Sequence, residues 1–246
     1  MLAELEEIID YKQINDQPSR QAHVRQTWIS RLKGCQRNVD VWQRILKVRS
    51  LVMTPSEDKE MYIKFSSLCR KSGRFGLSAK TLSNLLIAES DFNNLNLTMN
   101  EPLVIYASLK HLWESGGRES AYAQLKSFTA HLVDKIGIYE EGYNLENLHS
   151  DPVKEKLAKL IARCFLKTGN WQISLQDNWD ETNIQYVLKS YQSATQCDNN
   201  WYQAWHAWAL SNFEVVEFYE RSKEKQEIDV LLSHIVSSVD GIFLFT

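Results

Sequence analysis

The chain has 246 residues, 43% of them hydrophobic and 24% charged, with a formal net charge of −3. That balance excludes a disordered chain and gives no support to nucleic-acid binding over the whole surface. Nine glycines and four prolines, about half and about a third of average usage, exclude a sheet-rich fold built on many tight turns.

Helical periodicity runs through the sequence from its start. Leu2, Leu5, Ile8 and Ile9 form one apolar stripe. Pro18 and Ser19 open the next helix, where Val24, Trp28, Leu32, Cys35, Val39, Trp42, Ile45 and Leu46 predict one long helix with Gly34 inside it. Glycine in a helix interior costs about 1 kcal/mol against alanine, so Gly34 is expected at a close helix contact. Thr54-Pro55-Ser56 ends the region, with Ser56 as the cap of the following helix.

From there one plan repeats: helix, short glycine turn, helix. Met61 to Arg70 leads through Lys71-Ser72-Gly73-Arg74 to Leu77–Ala88. Pro102 to Trp113 leads through Ser115-Gly116-Gly117-Arg118 to Ala121–Ile136. Pro152 to Leu166 leads through Lys167-Thr168-Gly169-Asn170 to Trp171–Gln176. In each turn a glycine supplies the left-handed residue that ends one helix and lets the next fold back. The polar stretches Glu89–Asn100 and Gly137–Asp151 read as loops between repeats. In the last pair, Val187, Tyr191 and Ala194 have the spacing of a tetratricopeptide second helix, and Trp205 follows across the turn Asp198-Asn199-Asn200.

The expected fold is all-α, a tetratricopeptide-like solenoid of antiparallel helix pairs; an ordinary helical bundle is the alternative. Its parts are opening helices over 1–55, repeats over 56–100, 101–151 and 152–180, and a repeat with a trailing helix over 181–246. The apolar run Val239–Phe245 suggests a segment of something longer.

Catalytic signatures are absent: no phosphate-binding glycine loop, kinase motif set, nucleophile elbow or zinc-protease helix occurs. Cys35, Cys69, Cys164 and Cys197 lack metal or redox spacing and suit a reducing, cytoplasmic setting. The N-terminus lacks a signal-peptide pattern, and no apolar run approaches the length of a membrane span. His111 and Glu114 read as a solvated ion pair. Trp201, Trp205 and Trp208 read as core rather than as a base-stacking platform, and His206 as packed between repeats.

The basic residues carry the most information. Lys64, Lys71, Lys110, Arg163 and Lys167 hold similar places in successive first helices or turns. Stacked repeats bring equivalent positions side by side, which would make a face for a polyanion; independent solvated side chains are the alternative.

Five stretches resemble the FAT region of the target-of-rapamycin (TOR) kinase family. They are MLAELEEIIDYK from Met1, RLKGCQRNVDVWQRILKVRSLV from Arg31, LCRKSGRFGLSAKTL from Leu68, ARCFLKTGNWQ from Ala162 and NWYQAWHAWALSNFEVV from Asn200. The resemblance implies a solenoid that clamps the kinase domain of a large serine/threonine kinase and meets other subunits of its complex. The rapamycin-binding and kinase segments of that family are not in the sequence. It also implies a structural inositol hexakisphosphate, held by Arg37, Lys64, Lys71, Lys110, Arg163 and Lys167. Gln203 departs from the pattern, where the family can carry Lys. An autonomous adaptor that binds peptides is the second functional expectation.

Overall fold

The computed structural model describes residues 2–14, 16–87, 101–137, 151–176, 181–222, 232–237 and 239. The described residues are helical with no strand among them. The loop expected over 89–100, residues 138–150 of the loop expected over 137–151, and the apolar run beyond 239 lie outside them. The chain divides into two compact units, Met1–Gly116 and Gly117–Thr246.

The first unit holds α1 (Leu2–Gln13), α2 (Pro18–Gly34), α3 (Val39–Arg49), α4 (Lys59–Lys71), α5 (Phe75–Ile87) and α6 (Glu101–Glu114). Two differences from the expected elements matter. The long helix across Gly34 is two helices: α2 ends at Gly34, the chain extends at Cys35, and Asn38 starts α3 by accepting from the Asp40 and Val41 amides. The apolar stripe continues across the break, so periodicity alone does not reveal it. A Cβ on Gly34 would meet nothing within 4 Å, so that glycine ends a helix and makes no close contact. Ser56 is likewise not a cap. The carboxylate of Glu57 instead accepts from the amide and hydroxyl of Thr54, and α4 begins only at Lys59.

Hydrophobic burial fixes the order of packing. Ile8 and Tyr11 of α1, Trp28 of α2 and Met53 form one core cluster, while Leu5 and Ile9 face solvent. A second cluster joins Leu32, Val39, Trp42 and Leu46 to Met61, Phe65 and Cys69 of α4. Leu82 and Leu85 of α5 meet Val104 and Ala107 of α6. The α4–α5 turn is as expected: Gly73 has φ +74°, and the Arg74 amide reaches back to the Cys69 carbonyl. Arg74 then pairs with Asp40 through both carboxylate oxygens, at 2.7 and 3.2 Å, and ties that turn to α3.

The second unit holds α7 (Arg118–Ile136), α8 (Pro152–Leu175), α9 (Glu181–Cys197) and α10 (Tyr202–Ser222). Gly137 ends α7 in the left-handed conformation. The turn expected at Lys167–Asn170 does not exist. α8 runs unbroken through Gly169, so its partner in the pair is α9, not a helix from Trp171 to Gln176. Gly169 serves contact instead of a turn: an added Cβ would lie 2.9 Å from two ring carbons of Tyr191 and closer still to a third. Tyr191 donates its hydroxyl to Asn170 Oδ1 at 2.7 Å and locks α9 at that approach. α9 in turn packs on α10 through Ile184, Val215 and Tyr219.

Candidate functional site

A concentration of positive charge around a cavity lies in the first unit. Because α2 stops at Gly34, its last turn leaves Lys33 at the surface, and the extended connection to α3 carries Arg37. On α4, Lys64, Ser67, Leu68 and Lys71 recur at helical spacing and share one face. With Trp42 of α3, these side chains line a surface pocket of about 330 Å³. The sequence-derived set therefore contributes Arg37, Lys64 and Lys71 to one place, and Lys33 joins them.

One carboxylate reaches into this group. Glu60 Oε1 lies 2.6 Å from Lys64 Nζ and 3.3 Å from Lys33 Nζ. The hydrogen bond from Lys64, more than any other influence, holds the Glu60 carboxyl below its ordinary range, so it stays charged at neutral pH. Arg37 and Lys71 have no carboxylate partner among the described residues. Trp42 is 6% exposed, and its indole N–H finds no acceptor among the described residues. Such a buried donor is uncommon and costs stability. The pocket offers cations, a hydroxyl and an apolar wall, with no nucleophile or acid–base pair. The nearby Cys69 thiol lies in the core, and burial pushes it up to about 11. The cations that line the pocket suit an anion.

Three of the expected cations are not among the residues that line the pocket. Lys110 of α6 is not among the pocket residues; its ammonium lies 4.3 Å from the centre of the Tyr106 ring. Arg163 and Lys167 belong to the second unit, one turn apart on α8. Gln203 is exposed on α10. Lys33 is not singled out by spacing, because only the break after Gly34 sets it beside α4; its charge is the one signal the sequence carries.

The other candidates differ from expectation. Glu114 pairs with the buried Arg70 and not with His111. His111 packs on the Phe75 ring at 6.1 Å, and burial, helped by Arg70, lowers its pKa. Trp205 and Trp208 meet edge to face at 5.7 Å, half-buried rather than in the core. Trp205 donates to the Asn199 carbonyl at 2.8 Å and closes the expected turn there. His206 is exposed against Tyr202, so it is not a packed contact. Among the described residues no helix is long and apolar enough to cross a membrane.

Comparison with known proteins gives the family of the chain. A family model described as FAT domain matches residues 1–244. The chain is 45% identical over 233 residues to the serine/threonine-protein kinase TOR2 of Saccharomyces cerevisiae, covering 92% of this chain and 9% of that protein. It is 40% identical over 250 residues to tor1 of Schizosaccharomyces pombe, covering 99% of the chain and 11% of the relative. To the mTor kinase of Drosophila melanogaster it is 41% identical over 228 residues, or 92% and 9% of the two chains. The chain thus spans roughly a tenth of the length of these relatives, and the match falls on paired helices of the kind that make up helical-repeat folds. The chain belongs to the FAT domain family, in the form carried by TOR-type serine/threonine-protein kinases.

Proposed function

We propose that the chain is a non-catalytic helical scaffold within a TOR-type serine/threonine kinase, and that its first unit holds a phosphate-rich ligand as a structural element. The scaffold clamps the kinase domain of the same parent chain and supports assembly with other subunits of a TOR complex that regulates growth in response to nutrients. Its setting is cytoplasmic, with the parent complex at a vacuolar or lysosomal membrane surface. The observation that carries the ligand reading is the pocket itself: four cations from α2, α4 and the connection between α2 and α3 border one cavity, and Glu60 bonds two of them. Like charges held together repel, by about 1 kcal/mol per close pair in water and more where solvent is reduced. A polyanion offsets that repulsion. Inositol hexakisphosphate suits it, because phosphates pointing in several directions engage several helices at once.

Binding acts by linkage: a ligand held only by the folded state raises its stability. The test is the melting temperature with and without inositol hexakisphosphate at low salt, in the wild type and in Arg37→Glu/Lys71→Glu. A rise in the wild type that added salt suppresses and the double variant lacks is expected. An equal rise in both, or none in the wild type, overturns the ligand reading. For the scaffold reading, deletion of residues 1–246 from the parent is expected to abolish its phosphotransfer and its recovery with partner subunits. Full activity and assembly without them refute it.

A further inference from the structure

The carboxylate of Glu60 does not itself line the pocket, but it bonds two of the lysines that do and so works against an anion there. It is not an incidental helix pair. The bond to Lys64 is the i, i+4 contact that an isolated helix forms. The bond to Lys33 is different: it crosses from the first turn of α4 to the last turn of α2, and the fold has to build it. One oxygen, Oε1, serves both ammonium groups. That oxygen marks a point where the protein already stabilises negative charge between two helices.

The latch is weak by construction. The Lys33, Lys64 and Glu60 side chains are 46%, 41% and 58% exposed. Pairs this open contribute little and are screened by salt, so a competing anion exchanges with the carboxylate readily. Exchange breaks no covalent bond: one set of charge-assisted hydrogen bonds replaces another. The competing ligand also gains what Glu60 does not reach. Arg37 and Lys71 border the same cavity and hold no carboxylate among the described residues, and Ser67 adds a hydroxyl.

We infer that Lys33 is a fourth cationic ligand of this pocket and that Glu60 is its resident counter-anion, which holds Lys33 and Lys64 until a clustered-phosphate ligand displaces it. The inference rests on the polyphosphate reading above and adds two residues to it. Glu60 keeps the two lysines from repelling each other, so the site stays formed, and it lowers affinity by competing. Removing its charge therefore tightens binding, whereas removing Lys33 weakens it.

The experiment is isothermal titration of the 246-residue chain with inositol hexakisphosphate and, separately, inorganic tripolyphosphate, so that the inositol ring is distinguished from clustered phosphate alone. The variants are Glu60→Gln, Lys33→Ala and, as a control for the loss of one positive charge in the other unit, Lys159→Ala. All four positions of substitution and latch are surface residues, and melting curves confirm that the variants fold. Glu60→Gln is expected to bind about tenfold tighter and Lys33→Ala about tenfold weaker, with Lys159→Ala near the wild type. Binding with equal affinity in wild type and Glu60→Gln overturns the latch and leaves the pocket reading standing. Binding in Glu60→Gln alone supports the latch and overturns native occupancy. No binding of either probe to either protein overturns both. Equal losses in Lys33→Ala and Lys159→Ala remove Lys33 from the site.

Discussion

Replacing Gly169 by alanine separates two opposed effects by their sign. Alanine is favoured over glycine inside a helix by about 1 kcal/mol, so a glycine without a packing role would make the substitution stabilising. Here the new Cβ would stand 2.9 Å from Tyr191 Cδ1 and Cζ. Carbon atoms rest at about 3.5–4.0 Å, so the ring has to retreat by about 1 Å. Tyr191 is 2% exposed, and its hydroxyl is held by Asn170 at 2.7 Å. Retreat therefore overpacks the core, at about 1–3 kcal/mol, and strains a hydrogen bond worth about 0.5–1.5 kcal/mol. After the helical gain, Gly169→Ala is expected to destabilise the chain by about 1–3 kcal/mol. Urea denaturation followed by tryptophan fluorescence measures it, since the buried Trp171 lies two residues away. In a Tyr191→Leu background, where the ring is gone, the same alanine is expected to be neutral or stabilising. A single variant at or above wild-type stability would refute the close approach.

Gly73→Val is expected to cost about 1–2 kcal/mol, because a β-branched residue resists the left-handed conformation at φ +74°; an unchanged melting temperature counts against that. Trp28, 1% exposed and donating to Glu7 at 2.7 Å, is expected to cost about 3–5 kcal/mol when cut to alanine. Half-buried Trp205 should cost clearly less, and equal shifts in the denaturation midpoint would contradict the burial seen here. Asp58 is buried, which pushes its pKa from 3.8 up to about 6 against the pull of Arg49. Its protonated form therefore adds stability that is fully present below about pH 4 and is lost as pH rises through about 6. Wild-type stability should fall relative to Asp58→Asn across that window, by at most about 3 kcal/mol. Parallel pH profiles would show the reasoning to be wrong.

The helix pairs were legible where a local rule decided them. Gly73 and Gly116 both adopt positive φ, which glycine alone enters freely, and each stands where the sequence expects a turn. Lys167-Thr168-Gly169-Asn170 looks like the same signal, yet it lies inside α8. The deciding partner, Tyr191, is 22 positions away and on another helix, so nothing local distinguishes the two strings. The break after Gly34 was hidden for the opposite reason. The apolar spacing on its two sides is in phase, and only the Asn38 side chain marks the restart. The candidate site followed the same division. Lys64 and Lys71 share a face by helical spacing alone, but Lys33 enters only through tertiary packing, and Lys110 lies over its own helix's Tyr106.

Trp42 belongs at once to the core that joins α3 to α4 and to the wall of the basic pocket. The two duties cannot drift apart. A smaller side chain there would empty the core and reshape the cavity in one step, so sequence change at this position is judged on both counts together. The shared residue also sets one of the chain's eight indoles beside the cavity. Indole emission responds to nearby charge, and a dense anion arriving beside Trp42 would shift that emission without any attached label.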